Sequence, residues 1–381
     1  MLRKPLFVLI SILILSMALA ACSGAAPTAA GPTEEAAPPD TGATTTEAVG
    51  EAPGGEPEAQ PPAASGQIVE RVRSRGTLVC GSRTDLAGFG YLKDNRNVGF
   101  DVDLCRAVAA AVLGDPEAVE VVNLSAAERG PALQTGEVDI LSRNTTWSTV
   151  RDAQWGNFTW IMFYDGQGFI VPADSGITSI EDMDGATICV TSGTTTELNL
   201  ADAFRQRGLD FEPVTFEDTA SVYGAYEEGR CDVATSDLSQ LASVRSGFAD
   251  PEAHVILDIT ISKEPLTPAV PSGDDVWFDI VKSVMFGLIN AEEYGVTQAN
   301  VEEMKNSDNV EVRRLLGTEG DWGQSDLGLD PDAMARVIAA VGNYGEIYDR
   351  YMGPNGDAFT LDRGLNRLWT EGGLIYAPPL R

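Results

Sequence analysis

The 381-residue chain has one histidine, His254, and no Cys-x-x-Cys pair. A histidine-rich metal centre and a tetrathiolate site of ordinary spacing are therefore excluded. It also lacks a glycine-rich phosphate loop and a Gly-x-Ser-x-Gly elbow, the local signatures of phosphoryl transfer and of many serine hydrolases. Basic residues are scarce: 26 Lys and Arg stand against 57 Asp and Glu, a formal charge of −31. Such a surface repels phosphate backbones and anionic head groups, which excludes nucleic acid as a partner. His254 follows Asp250-Pro251-Glu252 and has no nucleophile to pair with, so it reads as an isolated surface histidine in a loop. No group in the sequence calls for a cofactor.

At the amino terminus Arg3 and Lys4 precede a mostly apolar run over residues 5–21, too short for a comfortable transmembrane span and typical of a secretion signal. The run ends in Leu19-Ala20-Ala21-Cys22, which resembles the lipobox at which bacteria acylate the cysteine and cleave ahead of it. Cys22 is thus expected to be the lipidated first residue of an extracytoplasmic protein held to a lipid bilayer. Each buried methylene contributes about 0.8 kcal/mol, so two or three acyl chains make a lasting anchor. Residues 22–66 are nearly all Ala, Pro, Gly, Thr and Glu without an aromatic. Such a composition buries too little apolar surface to offset ordering entropy and predicts a disordered tether.

The remaining residues, 67–381, exceed the size at which one core stops growing, so two lobes are expected. Cys80, Cys105, Cys189 and Cys231 form an even set in a secreted chain, where disulfides persist. Of the three possible pairings, Cys80 with Cys105 and Cys189 with Cys231 keep each bond inside one lobe and close short loops, each contributing about 3 kcal/mol on the chain-entropy model. Strand and helix signals alternate. Gly76-Thr77-Leu78-Val79-Cys80-Gly81 reads as a buried strand, and Asp101 opens a helix that stops at Gly114 and Pro116. Strands follow at residues 119–123 and 138–141, with Ser125-Ala126-Ala127-Glu128 between them as a capping box. The order then recurs: Gly185-Ala186-Thr187-Ile188-Cys189 echoes the first strand, and Gly229-Arg230-Cys231-Asp232-Val233-Ala234 echoes Gly136-Glu137-Val138-Asp139-Ile140-Leu141. Two α/β lobes side by side leave a cleft at the carboxyl ends of their strands.

Gly99-Phe100-Asp101-Val102-Asp103-Leu104, the run from Pro131 to Asp139, and Ser192-Gly193-Thr194-Thr195 resemble successive signatures of the polar-amino-acid-binding proteins of ABC importers. Leu141-Ser142-Arg143-Asn144-Thr145-Thr146-Trp147, Tyr164-Asp165-Gly166-Gln167-Gly168-Phe169, Ile289-Asn290-Ala291-Glu292-Glu293 and the terminal Gly373-Leu374-Ile375-Tyr376-Ala377-Pro378-Pro379 are similar to a narrower group, the general L-amino-acid-binding proteins. The resemblance implies the two-lobed type II periplasmic-binding-protein fold, each lobe a mostly parallel sheet flanked by helices. Two crossover strands, near residues 167–171 and 263–269, would form the hinge. Lobe I would comprise residues 67–169 and 265–381, the latter with a carboxyl-terminal extension, and lobe II residues 170–264. The implied role is capture of free L-amino acids by a monomer that closes over the ligand and delivers it to the permease subunits of the importer. An enzyme on the same fold, such as a dehydratase, and an amino-acid sensor are the alternatives.

A free amino acid carries a carboxylate and an ammonium on one carbon, so its receptor needs a bidentate cation, amide donors and a carboxylate in one pocket. Arg151 lies twelve residues after Asp139, where the family's carboxylate-binding arginine lies, and Asn144, Thr146 and Ser148 stand on the loop leading to it. Thr194-Thr195-Thr196-Glu197 is a second capping box whose free amides would share the carboxylate, with Thr195 matching the family's amide donor. Asp237 occupies the family's ammonium-binding position. Leu86 and Ala126 replace aromatics of narrow-specificity relatives, which implies a roomier pocket with Arg83, Phe89 and Arg143 as contacts for the ligand side chain, Phe89 being equally suited to the core. Several different L-amino acids are expected to bind within about a hundred-fold of each other, roughly 2.7 kcal/mol.

Overall fold

The computed structural model describes residues 66–381; the signal segment, Cys22 and the tether lie outside the described residues. Two five-stranded sheets of matching design organise the chain. In the first, Val119–Asn123, Leu78–Ser82 and Ile140–Leu141 run parallel, and Ala269–Val270 and Asn157–Phe158 extend the sheet antiparallel. In the second, Phe211–Phe216, Ala186–Thr191 and Val233–Asp237 are parallel, followed by antiparallel Gln167–Pro172 and His254–Ile256. Helices flank both sheets, and each helix that follows a strand returns the chain for the next parallel strand.

The internal echo has a physical counterpart. Asp139 bonds Val79 twice, its N–H donating to the Val79 carbonyl (2.9 Å) and its carboxylate accepting the Val79 N–H (2.8 Å). Asp232 does the same with Thr187, at 3.0 and 2.8 Å. Each aspartate thereby satisfies backbone groups at the start of a central strand. Counted from these aspartates the pairing is the same in both lobes, but Cys80 sits beside Ile140 whereas Cys189 sits beside Ala234, the counterpart of Leu141, so the second cysteine lies one residue further along its strand. Since side chains alternate along a strand, this offset sends the two cysteines to opposite faces. Accordingly Cys80 bonds Cys105, on the helix Phe100–Leu113, and Cys189 bonds Cys231, just ahead of the third strand.

The helix Phe100–Leu113 ends at Gly114 in the left-handed region, φ 74°. Its start also demands glycine. Gly99 has φ 133°, and a Cβ there would meet the Phe89 carbonyl oxygen at 2.1 Å. The second strand–helix signal runs later than expected: residues 126–128 form a turn, and the helix begins at Arg129, although Glu128 still accepts the Ser125 N–H (2.7 Å).

Both chain crossings between lobes form one antiparallel ribbon, Phe163–Asp165 against Glu264–Leu266. The first crossing therefore precedes residues 167–171, because Gln167–Pro172 is already held between two strands of the second sheet. Residues 275–381 return to the first lobe, where the helices Asp275–Glu293, Ala333–Val341 and Tyr344–Met352 share one core with Phe100–Leu113. The carboxyl-terminal extension also grips the first crossing. Asn366 accepts the Tyr164 N–H (2.6 Å) and donates to its carbonyl (3.0 Å), replacing a strand partner. Arg363 ties Asn366 to Glu292, Asn290 donates to the Pro378 carbonyl (3.0 Å), and Trp160 donates to that of Tyr376 (2.8 Å). Three of the narrow-group motifs thus meet behind the hinge. Among the described residues no helix is long and apolar enough to cross a membrane.

Candidate functional site

A polar cavity between the lobes encloses about 430 Å³ of empty space, part of it continuous with solvent. It is lined from the first lobe by Arg83, Ala126, Arg129, Arg143, Asn144 and Thr146, and from the second by a threonine-rich wall, with Thr194 and Thr195, and by Asp237 and Gln240. The lobes touch across it: Arg83 reaches Gln240 (3.1 Å) and Thr219, and Thr146 Oγ1 lies 3.4 Å from Thr195 Oγ1. The structure is therefore a closed form.

The loop Ser142-Arg143-Asn144 is held from below by Asp101. Its carboxylate accepts the Asn144 N–H (2.7 Å) and the Ser142 hydroxyl (3.3 Å), and burial pushes its pKa up to about 6. These bonds fix Asn144 at φ 32°, where a non-glycine residue is uncommon. On the other wall, the helix Thr195–Arg207 begins at the cleft. Thr194 Oγ1 accepts the Glu197 N–H (3.1 Å), and Glu197 accepts the Gly193 N–H (3.0 Å), one residue earlier than a regular capping box. The Thr195 and Thr196 amides have no intrahelical acceptor, as expected at a helix start.

Asp237 ends the strand Val233–Asp237, is buried, and makes no hydrogen bond or ion pair through its carboxylate among the described residues. Burial, then the nearby Asp165 and Glu264 carboxylates, hold its pKa well above the usual range, against the pull of Arg129 and Arg151. Burial also raises Asp165, to about 7, although it accepts the N–H groups of Gly166 (2.8 Å) and Ser239 (3.3 Å). Because this carboxyl is raised in the folded state, its stabilising contribution is complete below its ordinary pKa of 3.8 and disappears as pH rises through about 7. Thermal unfolding of ligand-stripped protein from pH 4 to 8 should show a decline in this window that Asp165→Asn flattens; equal slopes in both proteins would contradict the assignment.

Seven of the expected residues line the cavity: Arg83, Arg143, Asn144, Thr146, Thr194, Thr195 and Asp237. Four lie outside its lining. Arg151 is buried behind Thr146, donating from Nη1 to the Thr146 carbonyl (3.1 Å) with its guanidinium over the Trp155 ring, 4.6 Å from the centroid. Ser148 caps the short helix Thr149–Gln154 by accepting the Arg151 N–H (3.3 Å). Phe89 and Leu86 are core residues; Phe89 packs edge-on to Phe163 at 5.2 Å, so neither faces a ligand. His254 is not a loop residue either. It starts an edge strand, half-buried against Phe248, with Nδ1 2.9 Å from the Tyr226 hydroxyl.

Two residues of the site were not anticipated. Arg129 is buried and lines the cavity, donating to the Ala126 carbonyl (3.0 Å). Desolvation, then Arg151, Arg143 and Arg83, depress its pKa, while Asp237 opposes them. Its sequence signal is an arginine at the start of the helix that follows a strand end. Glu264, at the second crossing, accepts the hydroxyls of Thr146 (2.5 Å), Thr195 (2.9 Å) and Ser262 and the amide of Asn199 (2.7 Å). It therefore binds groups from both lobes at once, and its only signal was a lone acid within the predicted crossover.

Residues 78–300 match the model of the bacterial extracellular solute-binding proteins, family 3. The chain belongs to this family. It is 52% identical over 322 residues to the general L-amino acid-binding periplasmic protein AapJ of Rhizobium johnstonii, covering 84% of this chain and 94% of that one. It is 48% identical, again over 322 residues, to the glutamate/glutamine/aspartate/asparagine-binding protein BztA of Rhodobacter capsulatus, covering 84% and 95%. A solved periplasmic binding protein of an ABC transporter from Brucella ovis, with glutathione bound, superposes with a TM-score of 0.79 at 49% identity, covering 82% of this chain and 99% of that one.

Proposed function

We propose that this chain is the extracytoplasmic capture subunit of an ABC importer, that it binds free L-amino acids by cleft closure, and that it hands them to the permease without chemical change. The observation that carries this reading is the buried Asp237 carboxylate, unpaired among the described residues, which lines the same small polar cavity as Arg83, Arg129 and Arg143. A ligand with an ammonium beside a carboxylate completes both sides at once. Asp237 takes the ammonium. Arg151, whose Nε and Nη2 have no partner among the described residues, takes the carboxylate together with the Thr195 amide and Arg129. Contacts from opposite lobes exist only in the closed form, so ligand binding selects that form. The names of the relatives and the glutathione held by the Brucella ovis protein support a cleft tolerant of several side chains. Calorimetric titration of refolded, ligand-stripped protein against the common L-amino acids tests the reading: several should bind with affinities within about a hundred-fold of each other, and failure of every one to bind would reject it.

Lipid attachment at Cys22 follows from the sequence that precedes it. Cys22→Ser should release the protein from membranes or leave its signal uncleaved, and mass spectrometry of the wild type should find diacylglycerol on the mature terminus. An unmodified Cys22 would refute the anchor.

A further inference from the structure

Closure of the two lobes draws on bonds that involve no ligand group. Glu264 stands in the second crossing strand, is buried, and lies outside the cavity lining. On the first-lobe side its Oε2 accepts the Thr146 hydroxyl (2.5 Å). Thr146 is itself fixed to that strand: it bridges Leu266, and its neighbour Trp147 donates its N–H to the Pro265 carbonyl (2.8 Å). On the second-lobe side Glu264 takes two donors from the helix Thr195–Arg207, the Thr195 hydroxyl at Oε2 (2.9 Å) and the Asn199 amide at Oε1 (2.7 Å). With Ser262 also donating to Oε1, protein groups fill the roughly four acceptor positions that a carboxylate offers.

Thr195 and Asn199 are four residues apart and share one face of their helix, so a single carboxylate holds the first turn of that helix against the hinge. Swinging the second lobe away breaks both bonds, and bonds to a carboxylate are stronger than neutral ones. Asp237 and Glu264 thus differ in kind. Asp237 lines the cavity and is completed by a ligand, whereas Glu264 is completed by closure itself. Resting on the amino-acid reading above, we infer that Glu264 and Asn199 form a latch for the closed form, supplying part of the closing free energy from the protein alone, whatever side chain the ligand carries. The apparent affinity of a ligand that needs the closed form scales with the fraction of protein in that form. The latch therefore tightens every ligand by one common factor, and small amino acids with few side-chain contacts gain as much as large ones.

The test titrates ligand-stripped wild-type protein, Glu264→Gln, Asn199→Ala and Asn199→Asp with L-alanine, L-leucine and L-glutamine. Asn199 is half-buried on its helix and outside the cavity lining, so its variants decide the matter even if Glu264→Gln does not fold. Glu264→Gln and Asn199→Ala should each weaken all three ligands by a common factor of about ten-fold, with the ratios among ligands kept within about two-fold. Asn199→Asp should bind more weakly than Asn199→Ala, because it sets a second carboxylate against Glu264; a role in packing alone would rank this near-isosteric change above alanine. Unchanged affinity in Asn199→Ala, a loss confined to one ligand, or Asn199→Asp binding as well as Asn199→Ala would overturn the latch. Failure of wild-type protein to bind any of the three would instead defeat the amino-acid reading beneath it.

Discussion

Asp237→Asn is expected to weaken L-amino-acid affinity by roughly thirty-fold to several-thousand-fold, the cost of about 2 to 5 kcal/mol typical when a buried charge loses its partner. Asp237 is buried near two other carboxylates and its charged form is disfavoured there, so an ionised Asp237 is a strained state that an arriving ammonium relieves. Asparagine keeps the shape and removes the charge. It should therefore leave the ligand-free protein at least as stable at pH 8 while depriving the ligand of its counter-ion. Loss of binding together with retained or raised thermal stability separates this account from simple structural damage. Wild-type affinity should also fall as the solution is acidified, because binding requires Asp237 in its ionised form. An Asn variant that binds like wild type would remove Asp237 from the site.

Arg151→Ala should have an effect of the same size, about 2 to 5 kcal/mol, although Arg151 lies outside the cavity lining. Its Nη1 is occupied by the Thr146 carbonyl and its ring-stacked plane is fixed by Trp155, which leaves its other donors oriented and without a partner among the described residues. Arg129 approaches the same region from the helix Arg129–Thr135. If both arginines address one carboxylate, Arg129→Ala should also weaken binding, and the double variant should lose less than the sum of the single losses, with a coupling of roughly 0.5 to 3 kcal/mol. Calorimetry on the four proteins of this cycle measures it. Near-wild-type affinity in Arg151→Ala with a large loss in Arg129→Ala would assign the carboxylate to Arg129 alone.

The sequence was most informative where a local signal and a tertiary role coincide. Gly99 and Gly114 bound a helix because only glycine suits their backbone, and both marks are visible in the chain. The repeat Asp139/Asp232 was visible as well, and each aspartate bonds a residue at the start of a central strand. That Cys189 lies one residue further along its strand than Cys80 was not, since only the pairing with the neighbouring strand shows it. Leu86 stands at an aromatic position of narrow-specificity relatives and Phe89 suits the cleft and the core equally in sequence; both lie in the core, because an apolar residue carries no sign of which way it faces. Arg129 and Glu264 were missed for the opposite reason: single charged residues look like solvated surface until the fold closes over them. The narrow-group motifs around Tyr164, Glu292 and Tyr376 are far apart in sequence, and only the path of the carboxyl-terminal extension brings them together at the hinge.

The central claim is that the cavity reads the ammonium and the carboxylate of one carbon through opposite lobes. It is tested most directly by titrating ligand-stripped protein with one well-bound L-amino acid, its D-enantiomer, its α-hydroxy-acid analogue and its α-amide. The account predicts that the hydroxy acid and the amide each lose about thirty-fold or more in affinity, and that the D-enantiomer binds poorly because its side chain meets the wall when both charged groups are held. Binding of the hydroxy acid or the amide at the strength of the parent amino acid would contradict it.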